Sequence, residues 1–256
     1  MHVESKTVFI TGGASGLGFA TARYFVDAGA NVMLFDLDAD RAKKAAQTLG
    51  DRASSAGGDI CNEEQVGAAL AQAVSLFGSI HININCAGIG AAARTVGRDG
   101  PMPLAMFEKI IRTNLIGTFN VVRLSAERMQ GNEPCTEDGE RGVIINVASV
   151  AAYDGQVGQA AYSASKGGIV SMTLPIARDL SKLGIRVMTI APGIFETPMM
   201  AAAPQEVRDP LVAMTQFPQR LGKPDEFAQM AAHIVRCAYL NGETIRLDAG
   251  IRMEPK

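Results

Sequence analysis

Short apolar runs alternating with longer helical stretches constrain this chain more than any other feature. TVFI (7–10), NVMLF (31–35), HININ (81–85), GVIINVA (142–148) and IRVMTIA (185–191) are apolar segments of strand length, and ETIRLD (243–248) closes the series. Strands buried on both faces read this way. Between the runs lie helical stretches at 17–28, 39–49, 62–77, 104–129, 160–182 and 224–236. Sustained alternation predicts an α/β fold: a doubly wound, mainly parallel sheet of seven strands with helices on both faces, one further strand falling in the region before Asp59. No repeat, low-complexity segment or composition break divides the 256 residues, so one domain is expected over 1–256.

The turn after the first run carries glycines as Gly12-x-x-x-Gly16-x-Gly18. Glycine permits a tight bend and lets a pyrophosphate approach the backbone. The helix that follows would offer free N–H groups and its positive dipole end to that anion, with Ser15 and Leu17 lining the loop. A plain glycine-rich turn is the competing reading. Asp36 directly follows the second run, 18 residues beyond Gly18, where a carboxylate accepts ribose hydroxyls and repels a 2′-phosphate. Neither Leu37 nor Ser15 supplies a cation for that phosphate, so NAD is expected rather than NADP. Asp36 as a helix N-cap is the bland alternative, and Asp38 serves that purpose equally. Asp59 and Ile60, at the end of the third strand region, are placed to reach an adenine. Asn85, Cys86, Ala87 and Gly88 follow the fourth strand with small residues that let backbone lie against a cofactor.

Tyr162 and Lys166 stand four residues apart in QAAYSASKGG (159–168), one helical turn on the same face. An ordinary surface pair has this spacing too. The chemical reading is an ammonium that favours phenolate. Bringing a phenol from near 10 to neutrality takes roughly 4 kcal/mol, which one ammonium at about 4 Å supplies at an effective dielectric near 20. Ser149, after INVA, has a hydroxyl that can donate to a substrate oxygen; a strand-end turn is its ordinary role. Gln156 and Gln159 precede the tyrosine and are candidates for substrate contact or plain surface.

Composition narrows the class. Formal net charge is −2, which gives no electrostatic reason to expect nucleic acid or an acidic membrane as partner. Four cysteines are scattered, without ligand spacing to the three histidines, so no metal is expected and a reducing, cytoplasmic setting is. No apolar run reaches the roughly 18 residues of a membrane span, and strand-like sequence from Thr7 leaves no room for a cleavable signal. Segments 92–103 and 131–141 read as exposed loops. The longer segment 192–218 starts at the carboxyl end of a strand, where open α/β sheets bind ligands. Met102, Met106, Met199, Met200 and Met214 in or near these loops suit varied apolar shapes, or simply fill core.

T-G-x-x-x-G-x-G at 11–18, N-x-A-G at 85–88, Asn114 in TNLIGTFN, Ser149, Y-x-x-x-K at 162–166 and Pro192-Gly193 fall in order along the chain. Over essentially its whole length the sequence resembles the short-chain dehydrogenase/reductase superfamily, a Rossmann fold. VASVAAYDGQVGQAAYSASKGGIVSMTLPIARDL and GIRVMTIAPGIFETP are similar to its type II 3-hydroxyacyl-CoA dehydrogenases. The resemblance implies an NAD-dependent enzyme that oxidises 3-hydroxyacyl-CoA esters or some steroid alcohols, and assembles as a homotetramer. It implies Tyr162 as general acid/base, Lys166 tuning it and binding the nicotinamide ribose, Ser149 on the substrate oxygen, and Asn114 holding a water of a proton relay. It also implies Pro192, Gly193, Phe195 and Thr197 beside the nicotinamide. Cys86 and Ala249 depart from the wider pattern at positions not expected to touch the chemistry. A 3-oxoacyl-carrier-protein reductase and a dinucleotide-sensing regulator without turnover remain as alternatives, the latter having no need of the Tyr–Lys–Ser–Asn set.

Overall fold

A computed structural model describes residues 1–201 and 204–255; residues 202, 203 and 256, and the side chains of Met199, Ala201 and Val207, lie outside the described set. The chain runs β1 (Thr7–Thr11), α1 (Gly16–Asp27), β2 (Asn31–Asp36), α2 (Ala39–Leu49), β3 (Ala53–Gly57), α3 (Glu63–Phe77), β4 (Ile82–Asn85) and a small antiparallel hairpin, β5 (Val96–Gly97) with β6 (Gly100–Pro101). Then come α4 (Leu104–Ile111), a π-helical turn (Arg112–Gly117), α5 (Thr118–Met129), β7 (Gly142–Val147), α6 (Ala160–Leu180) and β8 (Ile185–Pro192). The short α7 (Pro198–Ala201), α8 (Gln205–Ala213), α9 (Pro224–Arg236) and β9 (Thr244–Leu247) complete it.

The strands form one seven-stranded parallel sheet in the order β3-β2-β1-β4-β7-β8-β9, a Rossmann-like α/β domain. β1 pairs with both β2 and β4, so the chain reverses its direction of travel across the sheet beside β1. The carboxyl ends of β1, β2 and β4 therefore open on one crevice, the ligand position of doubly wound sheets.

Side-chain alternation divides the core into two layers. Val8, Ile10, Val32, Leu34, Ile82, Ile84, Met188 and Ile190 pack on one face under α1 and α9, through residues such as Phe25, Phe227 and Val235. Phe9, Met33, Phe35, Ile144 and Val187 pack on the other under α3, α5 and α6, through Leu70, Val122 and Ile176. Each fully buried Leu, Ile or Phe contributes about 1.5–3 kcal/mol relative to exposure. β3 has no such run: its sequence is ASSAG, and only pairing with β2 makes it a strand.

Three expectations change. The helical stretch 104–129 is interrupted by the π turn at 112–117. Segment 92–103 contains the hairpin. Segment 131–141 is not wholly exposed. Asn132 is buried and donates to the carbonyls of Ile80 (2.7 Å) and Arg141 (2.9 Å). Buried Glu140 pairs with buried Arg186 at 2.7 Å. Asn132 and Glu140, at the two ends of a polar loop, satisfy buried backbone and charge, which local composition does not report.

Candidate active site

The crevice floor is built from backbone. Gly12 (φ 64°) and Gly16 (φ 55°) take left-handed conformations that exclude ordinary side chains. A Cβ on Gly12 would meet the Ala87 amide nitrogen at 2.8 Å, and one on Gly18 would lie 2.2 Å from the Gly12 carbonyl oxygen. The glycines thus let the turn, the first turn of α1 and the Cys86–Ala87 backbone close on one another. Ser15 is the N-cap of α1 but makes no side-chain cap, so the helix start faces the crevice with its N–H groups uncapped by a hydroxyl. Leu17 is half-buried on the core beneath. This cradle fits a dinucleotide pyrophosphate.

At the rim, buried Asp36 accepts from the Ala14 amide (3.2 Å), the Asp38 amide (3.2 Å) and Arg41 Nη2 (3.1 Å). Asp38, not Asp36, caps α2, its Oδ1 accepting from the Arg41 amide at 3.0 Å. Asp59 is exposed and accepts from the Cys61 amide at 2.8 Å. The Ile60 side chain is buried, closely packed where Gly117 leaves room.

The second cluster assembles at the carboxyl ends of β4 and β7 under α6. Lys166 is buried, its Nζ 2.8 Å from the Val147 carbonyl oxygen and 5.8 Å from the centre of the Tyr162 ring. A Cβ on Gly88 would lie 3.2 Å from Asn114 Oδ1 and 3.6 Å from Lys166 Nζ, so the loop after β4, the π turn and α6 meet there. Asn114 is fully buried. Its Oδ1 accepts from the Ile89 amide (2.8 Å), and its Nδ2 donates to the Ile89 carbonyl (2.9 Å) and to Ser165 Oγ (3.1 Å). Ser165 donates in turn to the Tyr162 carbonyl at 2.7 Å. Ser149 Oγ accepts from the Ala151 amide at 3.1 Å, so its turn-forming role is real, yet the residue stays partly open beside the half-buried Tyr162.

Protonation departs from the expected tuning. Burial pushes the Tyr162 phenol above its ordinary value, and interaction with the Ser149 hydroxyl pulls it back down. Burial also lowers Lys166 to about 8, against a smaller raising effect from Cys86. The ammonium is turned onto the Val147 carbonyl and itself lacks solvation, and the Ser149 hydroxyl rather than Lys166 is what draws the phenol back down. Cys86, expected to be a bystander, is pushed up to about 12 by burial and feels Lys166.

Other expected residues are held elsewhere. The Asn85 amide donates to Asn83 and Asn146 (2.9 Å each), so only its backbone is free for a ligand. The Phe195 ring is buried edge-on to Phe227, 6.4 Å between centres, in the core rather than in the cleft. Pro192 is buried at the end of β8, and Gly193 donates to the Leu247 carbonyl at 2.9 Å, with no room for a Cβ against Asp248. Thr197 does reach the glycine turn: its methyl would contact a Cβ on Gly16 at 3.7 Å. Gln156 Nε2 donates to the Glu254 carbonyl (3.0 Å), and Gln159 Oε1 accepts from the Gln156 amide (2.9 Å), tying this loop to itself and to the C-terminal segment. Residues not foreseen are Ser165, Ile89 and Val147, which act through backbone or a short hydroxyl, and Arg41, an arginine in the first turn of α2.

A half-buried tyrosine beside a buried lysine, a serine at a strand end and a backbone cradle at the switch point of a parallel sheet define a dinucleotide-dependent oxidoreductase. The chain belongs to the short chain dehydrogenase family, whose model matches residues 6–208. It is 52% identical over 255 residues to the 3-hydroxyacyl-CoA dehydrogenase type-2 of Bos taurus, covering 99% of this chain and 97% of that protein. The crystal structure of 3-hydroxyacyl-CoA dehydrogenase type-2 from Mycobacterium avium superposes with a TM-score of 0.94 at 42% identity, covering 98% of both chains. That of a 3-ketoacyl-(acyl-carrier-protein) reductase from Brucella melitensis complexed with NADH gives 0.87 at 31% identity, covering 98% of this chain and 100% of that one.

Proposed function

We propose that the chain is an NAD-dependent dehydrogenase that interconverts a 3-hydroxyacyl-CoA ester and its 3-oxoacyl counterpart. The observation that carries the reading is the meeting of Tyr162, Ser149 and Lys166 at the carboxyl edge of the sheet, next to a glycine cradle and an acidic rim residue. Its substrate class rests on the type-2 relatives named above. Gly12, Ser15, Gly16, Leu17 and Gly18 would hold the pyrophosphate, Asp36 the adenosine ribose, and Asp59 with Ile60 the adenine. Backbone of Asn85 to Gly88, Pro192, Gly193 and Phe195, with the Thr197 hydroxyl, would line the nicotinamide half. When bound, NAD supplies the hydride acceptor.

Tyr162 takes the alcohol proton. Ser149 donates to the substrate oxygen as charge develops there. Lys166 has three donors and spends one on Val147, leaving two for a ribose hydroxyl and the phenol. Asn114 fixes the Ile89 backbone and Ser165, and so orients the first turn of α6; a water in a relay from Lys166 would meet its remaining Oδ1 acceptor site. Lys166 would favour the phenolate that burial otherwise opposes, helped by the positive charge a bound nicotinamide would bring.

On the substrate side, Arg94, Thr95, Val96, Val157 and Gly158 surround an open cleft of about 520 Å³ just ahead of α6. Its cation and width suit a CoA phosphate chain. Ile116 of the π turn, Phe119 of α5 and Leu174 of α6 are exposed apolar side chains that would suit assembly into a homotetramer. Four unpaired cysteines agree with a reducing setting, cytoplasmic or matrix, and no helix among the described residues is long and apolar enough to cross a membrane.

The test is NADH formation from 3-hydroxybutyryl-CoA, its 2-methyl analogue, longer acyl-CoAs and a steroid alcohol. Oxidation of CoA esters supports the reading. Oxidation of another alcohol with no CoA ester turned over would overturn the substrate class.

A further inference from the structure

Asp36 is not alone at the rim. Arg41 Nη2 lies 3.1 Å from its Oδ1, while the arginine side chain is 54% exposed and the carboxylate 7%. A carboxylate has about four acceptor sites, and three donors already occupy this one: the Ala14 and Asp38 amides and Arg41. The two amides are fixed by the glycine turn and by the start of α2. Arg41 is the only exchangeable one of the three, because an ion pair with one partner in solvent is weak.

Arg41 also sits in the first turn of α2, where a cation opposes the helix dipole. Its amide is held by Asp38, and its guanidinium reaches back across the rim to Asp36. Only one of its five donors is bonded among the described residues. A planar guanidinium with free donors beside a helix N-terminus is the chemistry that receives a phosphate.

We propose that Arg41 is a latent receptor for a ribose 2′-phosphate, held silent by its pairing with Asp36. Selection of NAD is then shared by two residues. Asp36 repels the phosphate and at the same time occupies the cation that would welcome it. Removing the carboxylate charge not only lifts the repulsion but releases Arg41. This rests on the reading that Asp36 holds the adenosine ribose of NAD.

The test is calorimetric titration of NAD and NADP into the wild-type chain, Asp36→Asn, Arg41→Ala and the double variant. The Ala14 and Asp38 amides donate to different oxygens of Asp36, so Asp36→Asn retains an acceptor for one of them, and Asp36→Ser is the second variant should the first melt early. We expect the wild type to prefer NAD and Asp36→Asn to bind NADP at least tenfold more tightly than the wild type. We expect the double variant to lose about ten- to hundredfold of NADP affinity relative to Asp36→Asn, the range for a charge-assisted hydrogen bond. The loss should shrink with added salt. Equal NADP affinity in Asp36→Asn and the double variant overturns the role of Arg41 and leaves the NAD reading standing. A wild type that binds NADP as tightly as NAD overturns the reading of Asp36, and this inference with it.

Discussion

The two ends of the crevice are built on different principles. At the chemical end, Asn114 and Lys166 are buried and their polar atoms are matched to backbone partners from two separate parts of the chain, Ile89 and Val147. At the adenosine end, Asp36 shares its oxygens between two fixed amides and a half-solvated arginine. Low dielectric magnifies every charge at the first end, whereas solvent screens the second. Rate should therefore be decided at the chemical end, and choice of cofactor at the adenosine end.

Substitutions can break or sharpen that contrast. The largest effect is expected from Tyr162→Phe, which removes the proton acceptor: kcat should fall at least 10²–10⁴-fold, the share of general acid–base catalysis, with little change in NAD affinity by titration. Ser149→Ala should lower kcat by about 10²–10³ while KM moves less, as expected for a donor to developing charge.

Lys166 ties stability to pH. Its folded value, about 8, lies below the unfolded value of 10.5. Between these limits the unfolded chain keeps a proton that the folded chain has released, so stability rises with pH through that window. Urea unfolding of the wild type should gain up to about 3 kcal/mol from pH 8 to 10.5 relative to Lys166→Met. A flat difference would mean that the ammonium is not desolvated as described.

Gly18→Ala forces a Cβ to within 2.2 Å of a backbone oxygen that cannot move freely. It should cost about 1–3 kcal/mol in thermal unfolding and weaken NAD binding together. Arg41→Ala should change stability by less than about 1 kcal/mol, the scale of an exposed ion pair. A larger loss would erase the contrast between the two ends.

Much of this was readable from sequence, for local reasons. The apolar runs mark five strands because both faces of each are covered, ETIRLD marks the half-buried edge strand β9, and glycine spacing marks the cradle because only glycine takes that backbone. β3 was marked only by position, since ASSAG has no apolar signal and owes its form to β2. The catalytic set was readable from motif order, but its electrostatics were not. Whether Lys166 points at the phenol or at Val147 depends on where β7 ends relative to α6. The directions of the Phe195 ring and the Asn85 side chain are not legible, because a position next to the cleft does not reveal which way a side chain turns. Gln156 was bound to a segment about a hundred residues away. Arg41 needed the three-dimensional turn between β2 and α2 to bring it onto Asp36.

The central claim is that the cleft is built to let Tyr162 give and take a proton, and that this readiness waits on the bound dinucleotide. Phenolate absorbance of the wild type and Tyr162→Phe, titrated with and without NAD, tests it most directly. The expected result is a Tyr162 phenol that stays protonated beyond pH 10 alone and titrates toward neutrality with NAD bound, a step missing from Tyr162→Phe. A Tyr162 titration unmoved by NAD, or already near neutrality without it, would contradict the account.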